Sequence, residues 1–152
     1  MTVVEISLSD LLNRPKATLA TLRGDRRIVL RRRGAEDLVL TTAARAEQDR
    51  EVMGVMSRMF VEMMRTPAGR SLVLDVLPAA FPWARYLPAH EVREFSVELV
   101  GALGAATELD NTADVAQLIT EWRHTAEVHA DPELYAALTT DSGEDFGSDA
   151  LI

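Results

Sequence analysis

Few side chains in this sequence offer chemistry. Histidines stand at 90, 124 and 129, and there is no cysteine. Disulfides and thiolate metal sites are therefore excluded. Glu121-x-x-His124 has the helical spacing of half a di-iron carboxylate site. A complete site needs a second Glu-x-x-His, which the chain lacks, although Glu94 and Glu98 fall on the preceding predicted helix. Glu121, His124 and Glu127 read more simply as the solvated side of their helix. Glu144 and Asp145 are adjacent carboxylates in a polar tail, with no apolar pocket to tune them. No P-loop, dinucleotide fingerprint or nucleophile elbow is present. The pattern implies no enzyme, no metal and no cofactor.

The remaining candidate chemistry is cationic. Ile28-Val29-Leu30 runs into Arg31-Arg32-Arg33, and Gly34-Ala35-Glu36-Asp37 leads to Leu38-Val39-Leu40. Two short aliphatic runs around a glycine-containing loop predict a β-hairpin. Neither run alternates apolar with polar, so both faces of the strands are expected to be covered. Three arginines cannot be buried without partners. They must meet solvent or an anion, and guanidinium groups on a rigid ribbon suit a phosphate backbone. A solvated hairpin end is the plain alternative.

Charge divides the chain. The net charge is −8 over 152 residues. Residues 1–50 hold ten Lys/Arg against seven Asp/Glu, a net of +3, and residues 51–152 hold six against seventeen, a net of −11. A basic first part suits an anionic polymer, and an acidic second part suits a basic protein. No run approaches the roughly 18 apolar residues of a membrane span. No secretory signal pattern opens the chain, so a cytoplasmic location is expected.

The elements that must position these residues follow in order. Val3-Val4-Glu5-Ile6 predicts a strand. Ser7 or Ser9 caps a helix with Asp10 in its first turn and Leu8, Leu11 and Leu12 on its apolar side. Pro15 interrupts that helix and opens a second, with Leu19 and Leu22 inward and Gly24 at its end. After the hairpin, Thr41 or Thr42 caps a long helix running to about Arg65. Val52, Val55, Met56, Met59, Phe60, Met63 and Met64 repeat on it at helical spacing. Methionine fills irregular gaps and suits surfaces that repack. The stripe is therefore either core or a partner surface, or core within a complex.

Thr66-Pro67-Ala68-Gly69 breaks the helix and is read as a module boundary. A short helix over Ser71–Leu77 is followed by a loop packed by its own rings, Phe81, Trp83 and Tyr86, among Pro78, Pro82 and Pro88. Glu91–Thr107 predicts a helix with Val92, Phe95, Leu99 and Leu103 inward, and Gly101 and Gly104 weaken it or permit close packing. Asn111-Thr112 caps a helix carrying Val115, Leu118, Ile119, Trp122 and Ala126. Asp131-Pro132 opens a last helix with Leu134, Tyr135 and Leu138. From Asp141 an acidic tail with Phe146, Leu151 and Ile152 is expected to be disordered when free.

Residues 1–60 resemble the prevent-host-death (Phd/YefM-type) antitoxin family. The likeness rests on the strand, Ser9-Asp10 opening a helix, and Ala17-Thr18-Leu19 in the second helix. It also rests on Ile28-Val29-Leu30-Arg31-x-x-Gly34 followed by Leu38-Val39-Leu40-Thr41. The resemblance implies a homodimer formed through the sheet and second helix. It also implies operator DNA bound by basic residues, and a toxin blocked by the C-terminal segment. Such a toxin is often a RelE-type mRNA-cleaving enzyme. Arg31 matches the arginine ending the family's second strand and would touch DNA, and Gly34 matches the hairpin glycine. The arginine usual three residues after the helix-opening serine falls on Leu12, so Arg14 or Lys16 would replace it. Beyond residue 65 the chain departs from the short family tail. Glu121–Glu127 and Ala130–Leu134 are similar to segments of actinobacterial antitoxin-like proteins, and fifteen arginines against one lysine fit a high-GC genome.

The sequence thus predicts an α+β chain in three parts. Residues 1–65 form a three-stranded dimerisation and DNA-binding module, 66–140 an all-helical region, and 141–152 an acidic tail. Arg14, Lys16, Arg31, Arg32 and Arg33 are the expected DNA contacts. Met56, Met59, Phe60, Met63, Met64 and Phe146 are the expected toxin contacts. The rival readings are an interaction protein without operator binding and a small enzyme in the helical half.

Overall fold

Pro15 divides the first helical stretch in two, as its missing N–H and fixed φ require. In the computed structural model, which describes residues 3–141, β1 (Val4–Ser7) leads directly into α1 (Leu8–Asn13), and α2 (Pro15–Thr21) follows. Ser7 caps α1: its Oγ accepts from the Asp10 N–H at 3.1 Å and donates to the Asp10 carboxylate at 2.6 Å. The two helices carry the chain back, so that β2 (Ile28–Arg31) pairs parallel to β1. The connection has the helical character that a parallel pair needs. β3 (Leu38–Leu40) then pairs antiparallel to β2, giving a mixed sheet of order β1-β2-β3.

Period-two alternation sorts the sheet residues. Ile28 and Leu30 are buried with Leu22, and Val4, Ile6, Leu8, Leu11 and Leu40 pack around them. The other row holds Glu5, Val29 and Val39 in register. On that row Val29 is half-buried and Val39 is 61% exposed. The expectation of two covered faces therefore holds for one face only. α2 also turns differently from the expected pattern. Thr18 is buried, its hydroxyl donating to the Arg14 carbonyl, whereas Leu19 is exposed.

α3 (Ala43–Met64) is opened by Thr42, whose Oγ1 accepts from the Arg45 N–H. The chain divides into two units, Met1–Val55 and Met56–Ile152, about ten residues before the turn read as a boundary. The reason lies in the last turns of α3. Met64 is buried in the core of the second unit, and Phe60 and Met63 pack against it. The turn itself is tight. A Cβ on Gly69 would stand 1.9 Å from the Met63 carbonyl oxygen, so only glycine fits there.

The second unit continues with α4 (Pro67–Ala80), a 3-10 turn (Pro82–Tyr86), α5 (Ala89–Leu109), α6 (Ala113–Ala130) and α7 (Pro132–Asp141). α4 is longer than read: Pro78 lies in its last turns, and Thr66 caps it through the Gly69 N–H. Of the rings expected to pack a loop, Phe81 and Trp83 touch each other and also pack against the helical core, while Tyr86 is exposed. Phe95 is fully buried on α5, with Phe81, Trp83 and Trp122 at centroid distances of 5.2, 5.2 and 5.8 Å. Gly101 and Gly104 have no atom within 4 Å of a built Cβ, so they do not serve close packing. The acidic tail from residue 142, with Phe146, Leu151 and Ile152, lies outside the described residues. Among the described residues no helix is long and apolar enough to cross a membrane.

The aromatic cluster makes Phe95 the test of this core. Phe95→Ala is expected to cost about 3–5 kcal/mol. Urea unfolding followed through Trp83 and Trp122 fluorescence measures it. A loss under about 1 kcal/mol would show that the rings do not form the core.

Candidate functional site

The parallel pairing of β1 with β2 sets Ser7 opposite Arg31, with Glu5 one pair away along the same row. This places Arg31 within reach of a carboxylate 26 residues earlier in the chain. Arg31 Nε and NH2 donate to the two Glu5 carboxylate oxygens at 3.1 and 2.8 Å. Its NH1 donates to Asp37 Oδ2 at 2.6 Å. One planar guanidinium thus ties β1, the end of β2 and the start of β3. Both ion pairs are solvent-exposed, and exposed pairs contribute little unless bidentate or networked. This one is both.

Asp37 has a second task. Its Oδ1 accepts from the Arg32 N–H at 2.9 Å, which closes the loop between the strands. Gly34, at φ +68°, supplies the left-handed turn inside that loop. The Arg32 N–H and then the Arg31 guanidinium hold the Asp37 carboxyl below its usual value of 3.8. The Asp37 and Glu5 carboxylates in turn push the Arg31 guanidinium up.

The three arginines, expected to meet solvent or an anion, are therefore not equivalent. Arg31 is held on two carboxylates. Arg32 donates from NH1 to the Glu36 carbonyl at 3.3 Å. Arg33 is exposed and makes no hydrogen bond or ion pair among the described residues. Arg14 and Lys16, at the opening of α2, are likewise exposed with unengaged side chains. Leu12 is exposed as well.

Two further arginines were not singled out from the sequence. Arg45 NH1 donates to the Leu22 and Asp25 carbonyls at 2.8 and 2.7 Å, satisfying acceptors at and beyond the end of α2. Arg26 pairs with Asp49 on α3 at 2.9 Å. Arg26, Arg27, Asp25, Asp49, Val3 and Val39 line part of an open concavity of about 600 Å³ in this unit. The signal for Arg45 lay in its place in the first turn of a helix, but its acceptors come from a loop the sequence does not position.

The expected toxin contacts separate into two groups. Phe60, Met63 and Met64 belong to the core of the helical unit. Met56 and Met59 are 64% and 61% exposed. Phe146 lies outside the described residues. Trp83 and Trp122 pack against Phe95, while His124 is exposed. Trp122 Nε1 donates to Glu98 at 2.8 Å, and His129 Nε2 lies 2.9 and 3.1 Å from the Glu91 oxygens. Among the described residues no three His, Asp or Glu side chains are grouped to hold a metal ion.

Because the folded Asp37 carboxyl is held below its usual value, its stabilisation is complete above the unfolded range and lost as pH falls below 3.8. An NMR titration is expected to place the Asp37 midpoint below 3.8, with the Arg32 amide shift following it. A midpoint at or above 3.8 would mean that the loop is not closed by this carboxylate. Set beside known proteins, the chain matches no family model, no curated protein and no solved structure.

Proposed function

We propose that this protein is the antitoxin of a toxin–antitoxin pair. Its N-terminal unit binds operator DNA, and its helical unit holds a basic protein toxin. The observation that carries the reading is the charge division between the two parts of the chain, +3 over residues 1–50 and −11 over residues 51–152. Phosphate-binding surfaces need free cations, and Arg14, Lys16 and Arg33 are unengaged on the N-terminal unit. An RNA-cleaving toxin is basic because its substrate is a polyanion, so the acidic part suits it. Exposed Met56 and Met59 supply adaptable apolar contact beside that charge. The resemblance of residues 1–60 to Phd/YefM-type antitoxins points the same way.

A homodimer belongs to this reading. β3 is an edge strand of three apolar residues with no charge to deter pairing. Val39 on the open row is exposed. Sedimentation at micromolar concentration is expected to give twice the chain mass. A monomer alone would remove the dimer from the account.

A second reading is a dimeric interaction protein without operator binding. It is favoured by Leu12, exposed where the family's arginine would stand, and by the engagement of Arg31 with Glu5 and Asp37. A salt-dependent mobility shift on the upstream DNA separates the two readings.

The toxin assignment is tested in cells. Expression of the neighbouring reading frame is expected to arrest growth, and co-expression of this chain to relieve the arrest. Met56→Glu combined with Met59→Glu changes only exposed positions, so the chain should remain folded by circular dichroism. Relief should fall with toxin affinity, by at least about tenfold, a loss of roughly 1.4 kcal/mol. Full relief by this variant would exclude the exposed methionines from the toxin contact.

A further inference from the structure

Arg31 and Arg33 are two residues apart, yet only one has a free guanidinium. Every nitrogen of the Arg31 group is engaged: Nε and NH2 on Glu5, NH1 on Asp37. To take a phosphate, Arg31 would have to leave two carboxylates, and those carboxylates would then stand unpaired beside the incoming anion. That exchange gains little and adds repulsion. Arg33 has no such tie. It precedes Gly34 at the turn, in a loop that Asp37 closes onto Arg31 and Arg32. Closure matters because a loop that is already ordered loses less freedom when it binds.

We propose that Arg31 is a positioning residue that fixes the hairpin, and that the guanidinium which meets a nucleic-acid phosphate is that of Arg33 at its tip. The proposal rests on the DNA-binding reading above and assigns its contact. Asp37 makes the positioning two-sided. One oxygen takes the Arg31 guanidinium and the other takes the Arg32 N–H, so the two residues before Arg33 are both tied to one carboxylate. The arrangement also accounts for the mixture of charges at the hairpin. Arg31 is spent on Glu5 and Asp37, so the cations of the hairpin that are not held on a carboxylate are Arg32 and Arg33.

The test uses the full-length chain and a mixed-sequence DNA duplex, with anisotropy read across a salt series. Hydrogen exchange of the hairpin amides is measured on the same proteins. Arg33→Ala is expected to exchange like the parent while the slope of log K against log salt falls by about 0.9 per subunit bound, the value for one lost phosphate contact. Arg33→Lys should restore most of that slope. Arg31→Lys keeps the charge but loses the fork. It should exchange several-fold faster at the hairpin and bind several-fold more weakly at an unchanged slope. Glu5→Gln should loosen the same amides, and less than additively with Arg31→Lys.

Parental exchange in Arg31→Lys would overturn the clamp. Faster exchange with parental DNA affinity would make Arg31 structural only and overturn its positioning role. A parental salt slope in Arg33→Ala would overturn the phosphate contact. If the parent itself does not bind the duplex, the DNA-binding reading and this contact fall together, and the exchange data still decide the clamp.

Discussion

A single guanidinium joins three chain segments of the N-terminal unit. Arg31 lies at the end of β2, Glu5 on β1 and Asp37 just before β3. Strands of three and four residues leave little pairing to fix their register. A one-residue slip would exchange the buried row of Ile28 and Leu30 for the row of Val29 and Arg31. The fork of Arg31 on Glu5 is satisfied in one register, so it opposes such a slip. The register of the sheet and the closed loop at its end are thus tied to one side chain.

α3 meets the opposite problem. It carries one apolar stripe from Val52 to Met64, and its surroundings change along it. At its C-terminal end the stripe is consumed: Met64 is buried, Phe60 and Met63 pack against the helical core, and Gly69 lets the chain turn tightly over the Met63 carbonyl. Earlier in the helix Val52, Val55, Met56 and Met59 remain exposed. Exposed apolar residues in isolation need no explanation, whereas four at helical spacing on one element ask for a cover. The proposed toxin contact supplies one from the partner's side.

Local signals in the sequence were read well where their physics is local. Pro15 opens α2, Thr42 opens α3, the 66–69 turn ends it, and Pro132 opens α7, because caps and prolines act within a few residues. The apolar row of α6, from Val115 to Ala126, faced inward as its spacing required. Non-local features were hidden. Nothing in Arg31-Arg32-Arg33 says that the first is paired with a residue on a parallel strand 26 positions away. The aromatic run at 81–86 reads as a self-packed loop because the ring that Phe81 and Trp83 share besides each other, Phe95, comes from α5. The chain divides within α3 rather than at the helix break for a related reason. A helix break is a local event, but the edge of a core depends on which side chains the next helices bury.

The central claim is that one chain holds an anionic polymer with one unit and a basic protein with the other. The most direct measurement is the mass, by sedimentation velocity, of a mixture of the full chain, its upstream duplex and the product of the neighbouring reading frame. The account predicts a single species containing all three components, which dissociates in DNA content but retains the protein pair as salt rises. Separate sedimentation of the chain from both other components would contradict it.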